Sequence, residues 1–153
     1  FQNFEDQLIY SIVEEDIAFG LENLELKNDE ISKRVDKILI RLNIKNLAKN
    51  NVNLLSYGQK QLVALAGVLA MKPKCIVFDE PTATLDAKNK QNIMNIIKEL
   101  NKKDKITIIL ITNVLDDLKY TDNVVILKKG NIIFDGKKSD LTIKILKDAG
   151  LNA

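Results

Sequence analysis

The apolar positions of this chain change rhythm once, near Lys72-Pro73. Before that point they recur at helical spacing. Ile12, Val13, Ile17, Ala18 and Leu21 share one helical face, and Ser11-Ile12-Val13-Glu14 reads as a capping box with Ser11 at the N-cap. Ile31, Val35, Ile38, Leu39 and Leu42 form the stripe of a second helix capped by Asn28. A short helical turn is expected over residues 46–49. Residues 58–71 are apolar nearly all round (Leu62, Val63, Leu65, Ala66, Val68, Leu69), which predicts a buried helix with Ser56 as its cap.

Beyond Pro73 the pattern is different. Residues 75–78 and 106–111 are short continuous apolar runs, which suit parallel strands covered on both faces. Residues 88–101 between them carry Ile93, Met94, Ile96, Ile97 and Leu100 at amphipathic helical spacing. Strand, helix and strand together predict a right-handed βαβ unit. Residues 124–128 and 132–134, joined through Lys129-Gly130-Asn131, read as a hairpin. Ser139 is expected to cap a last helix ending near Gly150. The pattern is that of an α/β protein with its helices gathered first.

The totals narrow the function without naming it. A chain of 153 residues, 46% hydrophobic and 29% charged, can enclose one real core. Its 23 basic and 21 acidic residues leave a net charge of +2, so no nucleic-acid partner is expected on charge. Basic residues are lysines apart from Arg34 and Arg41. The single Cys75 excludes an internal disulfide and fits a reducing compartment. No apolar run approaches the roughly 20 residues of a membrane-spanning helix. No signal peptide is visible, and the start at Phe1 rather than Met reads as a cut.

The chemistry lies where the rhythm changes. The apolar run from Cys75 delivers Asp79 and Glu80 side by side. Adjacent carboxylates at a strand end suit a magnesium ion and an activated water, although alone they could simply face solvent. Upstream, Leu55-Ser56-Tyr57-Gly58-Gln59 puts a serine and a glycine at a helix opening, where free N–H groups and the dipole favour phosphate. Ser56 would serve equally as an ordinary cap.

In this order and spacing, with Pro81-Thr82 following, the two segments resemble the signature and Walker B motifs of ABC-type ATPases. The resemblance implies Asp79 as a ligand of Mg2+ and Glu80 as the general base acting on ATP. It implies that Ser56 and the N–H groups of Gly58 and Gln59 bind the γ-phosphate of ATP held by the opposite protomer. Tyr57 replaces the first of the motif's two glycines, which is tolerable if its φ stays negative. Ala83-Thr84-Leu85-Asp86 fits the D-loop crossing the dimer interface, although Asp86 could also be a plain helix cap. Phe1-Gln2-Asn3 resembles the Q-loop, where Gln2 would reach Mg2+ and the attacking water. The run from Gln2 to Gly20, and Gln59-Lys60-Gln61-Leu62-Val63-Ala64-Leu65-Ala66-Gly67-Val68-Leu69-Ala70, look like the ATPases of energy-coupling-factor importers for cobalt, nickel and vitamins.

The implied fold is α/β. A helical subdomain with Q-loop and signature helix occupies residues 1–71. The C-terminal part of a RecA-like P-loop NTPase core with a mainly parallel sheet occupies 72–153. The Walker A strand would precede Phe1 and lie between the strands at 106–112 and 124–128. Without it the sheet is expected to open in the middle, the gap being closed by shifted strands or by a second copy.

Two departures bear on activity. Where the family carries a histidine after the second strand, this chain has Asn113 and no histidine anywhere. An amide can donate a hydrogen bond but cannot carry a proton or positive charge, so slow or absent turnover is expected at the site Asn113 lines. No G-x-x-x-x-G-K-[ST] loop occurs in these residues, so the 153-residue polypeptide should bind ATP weakly and hydrolyse none. The resemblance implies the ATP-binding subunit of an importer, on the inner face of the cell membrane, paired with a second ATPase subunit and a transmembrane coupling subunit. The alternatives are a non-hydrolysing subunit that completes a partner's site, and a soluble ABC protein acting on ribosomes or DNA.

Overall fold

Helix α1, Val13–Asn23, starts without the predicted capping box: Ile12, not Ser11, holds the N-cap position and no side chain caps it. Backbone from further along the chain does that work. The N–H groups of Val13 and Glu14 donate to the carbonyls of Asn50 (3.2 Å) and Ala48 (3.0 Å), and Ile12 bridges to Asn51. With those donors satisfied, Ser11 is left to accept from the Val52 N–H at 2.8 Å through its own carbonyl. The computed structural model describes residues 7–83 and 85–151.

Helix α2, Asn28–Arg41, has Lys27 at its N-cap and buries the stripe Ile31, Val35, Ile38 and Leu39, with Leu42 just beyond. A 3-10 turn at Lys45–Leu47 takes the place of the short turn predicted nearby. Helix α3, Tyr57–Ala70, packs against α1 and α2 and buries Val63, Leu65, Ala66 and Leu69. Gly20 of α1 sits so close to the end of α3 that a Cβ there would lie 2.7 Å from Met71 Sδ. A larger residue there would displace the flexible Met71 side chain.

Strand β1, Cys75–Asp79, runs parallel to β2, Thr107–Ile111, in a register that sets Val77 beside Ile109 and Asp79 beside Ile111. Helix α4, Ala87–Lys102, connects them and buries Ile93, Met94, Ile97 and Leu100. These join Ile76 and Phe78 in one buried cluster continuous with the three helices. The other face of this pair is bare: Val77 is 47% exposed, and Ile109 and Ile111 are each 49% exposed. The expectation of strands covered on both faces therefore holds for one face only.

Strands β3, Asn123–Lys128, and β4, Asn131–Lys137, form a separate antiparallel hairpin. Its two-residue turn, Lys129-Gly130, has positive φ at both positions, as a type I′ turn demands. β2 and β3 belong to different two-stranded sheets. The predicted closure of the gap by shifted strands is thus not adopted, because β2 keeps its register with β1 and β3 keeps its own with β4. Between β2 and β3 the chain forms a 3-10 helix, Leu115–Tyr120, that the sequence pattern did not predict. Helix α5, Ile143–Ala149, is capped by Thr142 rather than Ser139 and ends at Gly150 in the left-handed region.

Candidate active site

The parallel register brings the ends of β1 and β2 level. Asp79 closes β1, and Glu80 extends the pairing by one bond, its N–H donating to Ile111 O at 2.8 Å. Glu80 then takes φ +46, the left-handed region that non-glycine residues rarely adopt. Such strain concentrates where a side chain must be aimed. The turn it makes buries Pro81 and Thr82, and the Pro81 carbonyl accepts a 2.7 Å bond from Gln61 Nε2 of α3. From β2, Asn113 reaches back so that its Nδ2 donates to Glu80 Oε1 at 3.4 Å. The predicted Asp79, Glu80 and Asn113 are therefore one group.

Among the described residues no three carboxylate, histidine or cysteine groups gather into a metal cage. Half-buried Asp79 at the open strand end suits a different role. Magnesium is commonly held by one or two carboxylates, with water and substrate phosphate oxygens completing its shell. The residues present fit that open arrangement.

Ser56, Tyr57, Gly58, Gln59 and Asp86 form a second group. Ser56 caps α3 in a closed capping box: Ser56 Oγ accepts from the Gln59 N–H at 3.4 Å, and Gln59 Oε1 accepts from the Ser56 N–H at 2.9 Å. Tyr57 opens the helix and is not among the residues with positive φ, so its side chain costs no backbone strain. Gly58 faces α4; a Cβ on it would stand 3.5 Å from the Asn89 side chain. Asn89 Nδ2 donates to Asp86 Oδ2 at 2.6 Å, and Asp86 caps α4 by accepting from the Lys88 and Asn89 N–H groups at 3.0 and 2.9 Å. A recess of about 90 Å³ lies between the two helix openings, lined by Ser56, Gly58, Gln59, Gln61 and Asn89 among others. Gln2 lies outside the described residues, as does Thr84 of the loop leading to Asp86.

The Asn89 backbone N–H, then its side chain, hold the Asp86 carboxyl below the ordinary aspartate range. A depressed pKa stabilises the fold above the unfolded-state value of about 3.9 and loses that contribution as pH falls through the folded-state value. Asp86→Asn keeps a good cap but removes the titration. The unaltered chain should therefore gain stability over Asp86→Asn as pH rises through that window, read from thermal melts across the acid range. A difference that grows on acidification would contradict this assignment.

Sequence reasoning missed the groups behind the site. Gln61 is a polar residue on a buried helical face, and that was its one available signal. Asp117 is fully buried in the 3-10 helix. Its Oδ2 accepts from Thr112 Oγ1 at 2.8 Å, and its Oδ1 faces Lys90 Nζ at 3.0 Å, an ion pair set off the angle of a good hydrogen bond. Thr112 Oγ1 in turn accepts from the Val114 N–H at 3.0 Å.

A family model described as ABC transporter matches residues 1–83. The energy-coupling factor transporter ATP-binding protein EcfA1 of Clostridium novyi is 55% identical over 112 residues, 73% of this chain and 40% of that protein. EcfA1 of Clostridioides difficile is 49% identical over the same length and shares. The chain thus spans about 40% of the length of the curated relatives it matches. Among solved structures, cbiO1 of Clostridium perfringens, part of the ABC transporter complex cbiONQ, superposes with a TM-score of 0.82 at 43% identity, over 90% of this chain and 55% of that one. The ATP-binding cassette MJ0796, a dimer bound to ADP and Pi, superposes with a TM-score of 0.75 at 30% identity, over 90% and 60%. No helix among the described residues is long and apolar enough to cross a membrane.

Proposed function

The chain belongs to the ABC transporter ATP-binding family, with the fold of part of its P-loop ATPase domain, and on that footing we propose that it is a portion of the ATPase subunit of an energy-coupling-factor importer. The observation that carries this reading is the group at the strand ends: Asp79 and Glu80 leave β1 together, and Asn113, two residues past the end of β2, meets Glu80. In the complete protein Asp79 would hold Mg2+, and the ion would supply charge shielding for the ATP phosphates. Glu80, aimed by its left-handed backbone, accepts the proton of the attacking water. Ser56 and Gly58 stand on a separate helix opening that serves the ATP of a second subunit, so two subunits face each other head to tail. A transmembrane coupling subunit takes up their motion, and the assembly sits on the inner face of the cell membrane. The Q-loop resemblance gives Gln2 the role of a further ligand for Mg2+ and the attacking water.

Glu80→Gln in the complete protein tests the base role. With MgATP the variant should accumulate as an ATP-bound dimer, seen as a doubling of apparent mass on size exclusion. Turnover equal to that of the unaltered protein would remove Glu80 from the mechanism.

One observation favours a second reading. The partner of Glu80 is an uncharged amide, which donates a long bond to the carboxylate but cannot carry charge to a phosphate. A subunit of this kind could be idle at its own site while Ser56 and Gly58 complete the site of a paralogue. In a reconstituted pair, Glu80→Gln on this subunit alone should leave activity intact under this reading and abolish it under the first.

A further inference from the structure

We propose that Asp117 is a positioning residue: through the Thr112 hydroxyl it fixes the turn that presents Asn113 to Glu80, and through Lys90 it locks that turn to α4. The proposal rests on the ATPase reading for its meaning, but the geometry behind it is independent of nucleotide.

Asn113 is exposed, lies beyond the end of β2, and meets Glu80 through a bond of 3.4 Å. So long a contact at the surface cannot hold its own geometry. The turn must be stiffened from behind, and the Thr112 hydroxyl does this. It gives its proton to Asp117 Oδ2 and takes the Val114 N–H on its oxygen, so residues on both sides of Asn113 hang from one atom. The Asp117 N–H donates to Val114 O at 3.0 Å, closing the loop on itself.

Asp117 has no exposed surface, and its charge is met by Lys90 Nζ at 3.0 Å. The pair is buried on the Asp117 side and partly exposed on the Lys90 side; such a pair contributes little net stability, because desolvation offsets the attraction, and its best-attested use is to fix register. Here the fixed register lies between α4 and the Asn113 turn. Lys90 sits one turn into α4, its N–H bonded to the Asp86 carbonyl at 2.8 Å. A continuous run of contacts therefore leads from Asp86 through Lys90, Asp117 and Thr112 to Asn113 and Glu80.

The test reads Asn113 directly. With 15N-asparagine labelling, the Asn113 side-chain amide is assigned by its disappearance in Asn113→Asp. In the unaltered chain Glu80→Gln should shift that resonance. Thr112→Val, which keeps the Lys90–Asp117 pair and the side-chain size, should abolish the response, and Thr112→Ser should restore it. Lys90→Arg should keep the response and Lys90→Met should lose it. Asp117→Asn leaves Lys90 unpaired and is at risk of unfolding, so the threonine pair carries the decision. A folded Thr112→Val chain whose Asn113 resonance still answers to Glu80→Gln overturns the proposal, as does a Thr112→Ser chain that behaves like the valine variant. Because no nucleotide is added, a failure of the ATPase reading would leave these outcomes unchanged and show itself separately, as a complete protein that does not hydrolyse ATP.

Discussion

Replacing Asn113 by histidine in the complete protein should raise its ATP turnover by about a hundredfold, the lower range of a positioned acid–base group. The reason is local. Asn113 Nδ2 already touches Glu80 Oε1, so a side chain at this position is within reach of the carboxylate that handles the attacking water. An asparagine there supplies amide donors but no charge. A histidine can do the same through one ring nitrogen while the other carries or releases a proton near neutral pH. The β1–β2 register that brings residue 113 to Glu80 is set by backbone pairing and does not depend on which side chain is present. The measurement is phosphate release from the protein paired with a partner whose own general base has been removed, so that only this site is counted. Equal rates for the two forms would mean that residue 113 does not limit turnover. A rise in the histidine form would make the idleness of the native site a property of a single side chain.

The parts of this molecule that were legible in the sequence are those decided by neighbours in the chain. The Ser56 cap of α3, the α2 stripe and the Lys129-Gly130 turn each follow from a few adjacent residues, and each is present. Ser11 looked equally good as a cap and is not one, because carbonyls more than thirty residues away reach the α1 opening first. The same holds for the site. Asp79 and Glu80 are adjacent, so their company was readable; the family resemblance set Asn113 at the same site, but its meeting with Glu80 needs the parallel pairing of β1 with β2 and was not foreseen. Asp117 gave no sign at all. It sits in a 3-10 helix, which lacks the 3.6-residue period by which a buried face is recognised, and its partners come from β2's end and from α4.

Truncating Leu100 should cost this chain about 2–5 kcal/mol, while truncating Ile109 should cost less than about 1 kcal/mol, although both positions are equally apolar in the sequence pattern. Leu100 lies on α4 with no exposed surface, among the side chains that seal the covered face of β1 and β2; removing its methyl groups opens a cavity that the surrounding helices cannot fill. Ile109 projects from the opposite face of the same pair and is 49% exposed, so most of what alanine would remove already meets water. Urea unfolding of the two variants checks the contrast. The decisive comparison is the same Ile109→Ala substitution in the complete protein. The relatives run well beyond this chain, which covers 55% of cbiO1 and about 40% of EcfA1. If the additional chain packs on the face of Val77, Ile109 and Ile111, the cost of Ile109→Ala should rise into the 2–5 kcal/mol range there. Should it stay below 1 kcal/mol in both, that face is a true surface of the molecule and the continuous apolar run of β2 has some other cause. A rise would instead show that the run records burial this chain alone does not provide.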